Sequence, residues 1–290
     1  MAARPRTLPA SLAPVLVGSS LALGAGEFNV LAFLAALLGA MFIQVGTNLS
    51  NDYSDARRGA DSEDRLGPMR VTAGGLVPPR QVLVATYVTF GLAVLCGAYL
   101  ISVAGWGLLA VGAASILAGV LYTGGPRPYG YVGLGEVFVF LFFGIVAVVG
   151  SWYVQVQSLP WEPFVVAVPV GLLASAILVV NNLRDIDTDA RAGKRTLAVR
   201  LGRERTRALY VAMVAGAFVI APLPWLLGSL SAWLFLSWLA LPPAIATARV
   251  VSARHDGPSL NLALARTAMV QLAFCLLLSA GILASPGIAG

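Results

Sequence analysis

The chain has 290 residues, 58% of them hydrophobic and 11% charged, with a net charge of +6. A soluble chain of this size holds about 25% charged residues, so the composition excludes a water-soluble globular protein and indicates an all-α, polytopic membrane protein. Cys96 and Cys275 lie inside apolar runs and the only histidine, His255, lies in a polar loop, which argues against a disulfide framework and against zinc or haem chemistry.

A helix crosses the hydrocarbon core with about 20 apolar residues. By that measure the sequence predicts nine spans, over residues 9–26, 29–50, 79–101, 104–123, 132–153, 163–183, 204–226, 229–249 and 261–286. The first run follows Arg4 and Arg6 and has the outline of a signal peptide. It reads instead as a short first membrane helix, because the rest of the chain is also membrane-embedded. No soluble domain interrupts the runs, so residues 1–290 are expected to form a single transmembrane domain.

The cations set the orientation. Lys and Arg accumulate in cytoplasmic loops. With a cytoplasmic N-terminus, all 19 fall in segments 1–8, 51–78, 124–131, 184–203 and 250–260 or on the adjoining helix ends. The outer loops then hold only Glu27 and Glu162, with Trp106, Trp152 and Trp161 at the interface, and the odd span count puts the C-terminus outside. Inside-facing cations account for the positive charge, so no nucleic-acid partner is expected.

The acids are one-sided too, although orientation does not require it. Eight of the 13 Asp and Glu lie in segments 52–64 and 185–189. Each segment follows an apolar helix, and the two begin alike: Asn48, Asp52 and Asp55 in one, Asn181, Asp185 and Asp189 in the other. Spacings of three and four residues place an amide and two carboxylates on one helical stripe, with Asp187 pointing elsewhere. Like charges on one stripe repel, and a helix C-terminus disfavours anions. A cation relieves both costs, and Mg²⁺ bound by carboxylates plus substrate phosphates suits such oxygen ligands. Arg57, Arg58, Arg70, Lys194 and Arg195 are placed to meet a diphosphate. The bland alternative is a pair of solvated loops whose charges pair among themselves.

A third inside segment, "LYTGGPRPYGYVGLGE" at 121–136, reads as a tight Gly/Pro turn. Tyr122, Arg127, Tyr129 and Tyr131 either line a mouth, where aromatic faces stabilise a cation, or anchor the turn at the interface. Glu136, about one turn into the following helix, is a functional suspect that a partner such as Arg127 would satisfy.

These residues resemble the UbiA superfamily of intramembrane prenyltransferases, whose motifs are approximately N-D-x-x-D-x-x-x-D and D-x-x-x-D. Asn51, Asp52 and Asp55 match the start of the first motif, and Asp185 and Asp189 match the second. The third acid of the first motif falls at Gly59, where the chain departs, with Asp61 as the nearest substitute. The stretches "ARPRTLP", "NDYSDARRGAD", "RLGPMRVTAGGLVPPR" and "NNLRDIDTDARAGKRTLAVRLGRERTR", with the 121–136 loop, look closest to the 1,4-dihydroxy-2-naphthoate prenyltransferase branch.

The resemblance implies nine helices around a lipid-open cavity in the cell membrane. At its cytoplasmic mouth two Mg²⁺ ions would hold the diphosphate of a polyprenyl donor. It implies metal contacts from Asp52, Asp55, Asp185, Asp189 and Asn51, with Asn48 and Asn181 in support. Lys194 and Arg195 would stabilise the leaving diphosphate, Tyr122 would face the allylic carbon, and Arg127 or Arg70 would meet the acceptor carboxylate. Acceptors of other branches are the neighbouring alternative. An ion-coupled transporter is a more distant one, since its acids would sit near the bilayer midplane.

Overall fold

The structure, a computed structural model, describes residues 8–59, 66 and 70–285. Those residues contain helices and loops and no strand. The helices are α1 (Pro9–Gly24), α2 (Val30–Arg57), α3 (Pro79–Ala104), α4 (Gly107–Leu121), α5 (Gly135–Val156), α6 (Glu162–Arg184), α7 (Ile186–Arg191), α8 (Leu197–Ile220), α9 (Leu241–Ala253) and α10 (Gly257–Leu283). A 3₁₀ segment, Ala232–Ala240, leads into α9.

Seven of these stretches are long and apolar enough to cross a membrane. The other two apolar helices, α1 and α4, have 16 and 15 residues. At 1.5 Å per residue such a helix covers about 23 Å, short of a hydrocarbon core of about 30 Å.

Local chemistry sets the boundaries. Asn29 caps α2 by accepting from the Ala32 N–H at 3.1 Å. Thr196 caps α8, which turns sharply at Gly202 (φ 76°) and starts earlier than the expected residue 204. α2 also runs two turns beyond the expected residue 50, so Asn48, Asn51, Asp52 and Asp55 are all helical. α6 behaves differently. It stops at Arg184, and the chain bends at Asp185 before α7 begins. The two acidic segments are therefore alike in spacing but not in backbone.

α6 is the pivot of the bundle. It is apolar on nearly every side, as expected of a helix surrounded by others, and its Ala167, Val170, Leu173, Ala176 and Val179 are fully buried or nearly so. It packs against α8, α10 and α5. Where it crosses α5 the two backbones touch: a Cβ on Gly144 would lie 2.6 Å from the Gly171 Cα. α5 passes through a π-helical turn there, Phe140–Val146. α1 crosses α5 just as closely, since a Cβ on Gly18 would lie 2.1 Å from the Val148 carbonyl oxygen. Apolar solvent gives helices no hydrophobic reason to associate, so close packing through small residues carries that work.

α1 to α6 enclose a cavity of about 910 Å³. One end is lined by Leu100, Ile101 and Leu108, at the far ends of α3 and α4, and the other by Asn48, Asp55 and Asp185. It thus runs most of the length of the helices, from an apolar end to an acidic one. Cys96 is half-buried and Cys275 fully buried, and both are free thiols.

Gly18→Ala is expected to cost about 1–3 kcal/mol by overpacking. Gly91→Ala, where an added Cβ meets nothing within 4 Å, should be neutral. Thermal unfolding of the two variants in detergent checks the difference.

Candidate active site

The acidic end of the cavity is assembled from two helix ends. On α2, Asn48, Asn51 and Asp55 share one stripe and line the cavity. Asp55 is 1% exposed and gathers three donors. Arg70 Nη2 lies 2.7 Å from one oxygen; the Tyr131 hydroxyl donates to the other at 2.6 Å, with Lys194 Nζ at 3.6 Å. One carboxylate thereby ties together three segments far apart in sequence.

Asp52 lies off this stripe. It is 2% exposed and does not line the cavity. Its carboxylate accepts from the Val71 N–H at 3.2 Å and the Thr72 N–H at 2.9 Å. Those amides directly follow Arg70, so Asp52 fixes the turn that carries the Arg70 guanidinium to Asp55.

On the opposite side, Asp185 receives two N–H groups from Arg184, with Nε at 2.8 Å. The same guanidinium donates to Asn181 Oδ1 at 3.0 Å and Asn261 Oδ1 at 2.7 Å. Asp189 is half-buried and lines the cavity. Its backbone carbonyl accepts from the Lys194 N–H at 2.9 Å, which sets the Lys194 ammonium facing Asp55 and 4.8 Å from the Tyr131 ring centre. Asp187 is exposed and pairs with Arg203 at 2.5 Å, directed away as expected.

The 121–136 loop closes the third side. Thr123 donates to Asn51 Oδ1 at 2.8 Å. Tyr122 meets Tyr129 edge-on at 5.5 Å, and Tyr129 stacks on Phe138 at 4.0 Å. Burial pushes the Tyr129 phenol up, so it stays protonated and donates to the Ala118 carbonyl at 2.8 Å. Gly130 has no room for a side chain, since a Cβ would lie 2.7 Å from the Tyr122 carbonyl oxygen. The Arg195 N–H donates to the Tyr131 carbonyl at 2.8 Å and docks the segment after α7 onto this loop.

Of the side chains singled out from the sequence, Asn48, Asn51, Asp55, Arg70, Tyr122, Tyr129, Asn181, Asp185, Asp189 and Lys194 line the cavity. Asp52, Arg57, Arg58, Arg127 and Arg195 do not. Arg57 and Arg58 are exposed, donating to the Tyr53 hydroxyl and the Gly125 carbonyl. Arg127 and Arg195 are exposed as well. The expected Arg127–Glu136 pairing is replaced by another: Glu136 accepts from Asn182 at 2.9 Å. Asp61 lies outside the described residues.

Three cavity-end residues escaped the sequence reading: Arg184, Asn182 and Thr123. The first two sit within the same charged motif, but sequence spacing does not reveal that Arg184 folds back onto its own neighbour. Among the described residues no three acidic, histidine or cysteine side chains converge into a ready-made metal cage. The carboxylates are divided between α2 and α6–α7, with buried cations on each side.

A cavity that joins buried carboxylates and cations at one end to an apolar passage at the other suits an anionic headgroup on a lipid tail. Residues 11–274 match the UbiA prenyltransferase family, and the chain belongs to that family. It is 43% identical to the 1,4-dihydroxy-2-naphthoate octaprenyltransferase of Mycobacterium tuberculosis (strain ATCC 25618 / H37Rv), over 94% of this chain and 92% of the relative. It is 41% identical to the Escherichia coli (strain K12) enzyme of the same name, over 97% and 94%, and 33% identical to that of Bacillus subtilis (strain 168), over 97% and 91%. Among solved structures it shares its fold with the UbiA homolog from Aeropyrum pernix K1 (TM-score 0.72, 18% identity, 96% of this chain and 98% of that one). The UbiA homolog from Archaeoglobus fulgidus bound to DMAPP and Mg²⁺ has the same fold (TM-score 0.69, 17% identity, 97% of each chain).

Asp52→Ala leaves two buried backbone N–H groups without acceptors, at about 1–3 kcal/mol each. The variant should melt earlier and lose activity together, whereas Asp189→Asn, which keeps the size and an acceptor oxygen of the side chain, should lose activity with little change in melting. Paired thermal and activity measurements on both variants check this.

Proposed function

We propose that this protein transfers a polyprenyl group from a polyprenyl diphosphate to 1,4-dihydroxy-2-naphthoate, releasing diphosphate and CO₂ and forming demethylmenaquinol. The observation that carries this reading is the single cavity joining a buried carboxylate–cation end to an apolar passage along the helices. The names of the relatives at 33–43% identity over nearly full length support the acceptor.

The donor set suits Mg²⁺. Asp55, Asp185, Asp189, Asn48, Asn51 and Asn181 bring only oxygen acceptors and amides to one end of the cavity, and Mg²⁺ favours one or two carboxylates plus substrate phosphates. In our reading these residues hold two ions, and Asp52 supports them through the Arg70 turn. Mg²⁺ held there would supply charge neutralisation for the diphosphate.

The protein's own groups do the rest. Lys194 and Arg70 meet diphosphate oxygens and stabilise the leaving group. Both now lie against Asp55, so an arriving diphosphate finds cations already in place and exchanges partners with that carboxylate. Tyr122 and Tyr129 present ring faces that stabilise positive charge on the allylic carbon. The apolar passage takes the tail and keeps water from the cation. The acceptor ring is electron-rich, so orientation is the main remaining requirement.

Nine membrane-crossing helices around a cavity open to lipid, a cytoplasmic N-terminus and a cytoplasmic active site complete the reading. Its support is the one-sided distribution of cations in the sequence. α1 and α4, with 16 and 15 residues, are then the two short crossings.

Membranes supplied with octaprenyl diphosphate and 1,4-dihydroxy-2-naphthoate should form prenylated product and CO₂ with Mg²⁺ and none with excess EDTA. Asp55→Ala and Asp185→Ala should each lower the rate by about 10²-fold or more. Product formation undiminished by EDTA would remove the metal from the reading. Absence of product from folded protein would remove the naphthoate.

A further inference from the structure

Asn182 and Glu136 stand apart from the carboxylate–cation network, yet both are deeply buried, at 5% and 3% exposure. Asn182 lies on α6, one residue after Asn181, and lines the cavity. Its Nδ2 donates to Glu136 Oε1 at 2.9 Å. Glu136 sits in the first turn of α5 and does not line the cavity. Its backbone carbonyl accepts from the Ser175 hydroxyl of α6 at 3.0 Å. The carboxyl group is therefore fixed behind Asn182 by a second contact between the same two helices.

An amide side chain has a donor end and an acceptor end. With its NH₂ held by Glu136, Asn182 is left with Oδ1 as its other end, and among the described residues nothing donates to that oxygen. Asn182 lines the cavity, so a donor on a bound molecule can reach that oxygen. The adjoining wall is aromatic. A Cβ on Gly135 would lie 3.3 Å from the Tyr122 ring, and Tyr122, Tyr129 and Phe138 form one contiguous ring cluster. A diphosphate offers only acceptor oxygens and gains nothing from another acceptor. A ring hydroxyl is a donor on a flat apolar body, and it matches both the oxygen and the wall.

We propose that Asn182 recognises a hydroxyl group of the aromatic acceptor through its Oδ1, and that Glu136 is a positioning residue that fixes which end of the amide faces the cavity. The inference rests on the proposed function and deepens it by naming the specificity contact. A site built to accept a hydroxyl proton rejects a ring that lacks one, because the oxygen is then left unpaired.

The test measures how strongly 1-hydroxy-2-naphthoate, 4-hydroxy-2-naphthoate and 2-naphthoate compete with the acceptor in the Mg²⁺-supplied membrane assay. In the unaltered protein, at least one hydroxylated compound should bind about tenfold tighter than 2-naphthoate. In Asn182→Leu that ratio should fall to near one, with the KM for the polyprenyl diphosphate unchanged within about twofold. Glu136→Gln still offers an oxygen to the Asn182 NH₂ and should keep the ratio, whereas Glu136→Leu should lose it. A preserved ratio in Asn182→Leu, or equal shifts in donor and acceptor KM, would overturn the assignment. Should Asn182→Leu fail to fold, equal ratios in the two Glu136 variants would overturn it instead. Absence of prenyl transfer by the unaltered protein is a separate outcome, which overturns the functional reading and this inference with it.

Discussion

Asp55 is the constraint around which the acidic end is organised. A carboxylate nearly closed off from water is tolerated only when paired and hydrogen-bonded. Its partners come from three places: Arg70 after α2, Tyr131 in the loop before α5, and Lys194 after α7. Each of those segments is then held by a further backbone contact. Asp52 holds the Arg70 turn, the Arg195 N–H holds the Tyr131 loop, and the Asp189 carbonyl holds Lys194. Satisfying one buried charge thus brings together the residues that the proposed diphosphate site requires.

Arg184 plays the matching part on the other side. Its guanidinium serves Asp185, Asn181 and Asn261 at once, linking the end of α6 to α10. A planar fork with several fixed donors suits this task, and a lysine would not replace it. The two halves are balanced in charge by different means. α2 borrows its cations from distant segments, while α6 carries its own one residue away.

The rest of the cavity has different requirements. Its walls are apolar and its length comes from the helices themselves, so its shape depends on how closely backbones approach. The Gly144–Gly171 and Gly18–Val148 crossings bring α5 against α6 and α1 without intervening side chains. That close packing fixes one wall, while α2, α3 and α4 form the other.

The helices were legible in sequence because lipid forces backbone hydrogen bonds inward and leaves a long apolar run little choice but helix. The two acidic segments stood out for the related reason that charge is expensive beside such runs. Spacing alone did not separate Asp52 from Asp55, because both recur at helical intervals from Asn48. A rotation of about 100° per residue turns Asp55 into the cavity and Asp52 toward backbone amides. Nor did spacing show that α2 continues through its motif while α6 bends at Asp185. The apolar helices and the presence of two acidic segments beside them were therefore determined by the sequence itself, through local hydropathy and charge. Which carboxylate meets which cation, and which end of Asn182 faces the cavity, were decided only by the tertiary structure. Those contacts join residues up to 139 positions apart, as between Asp55 and Lys194, and no local pattern encodes them.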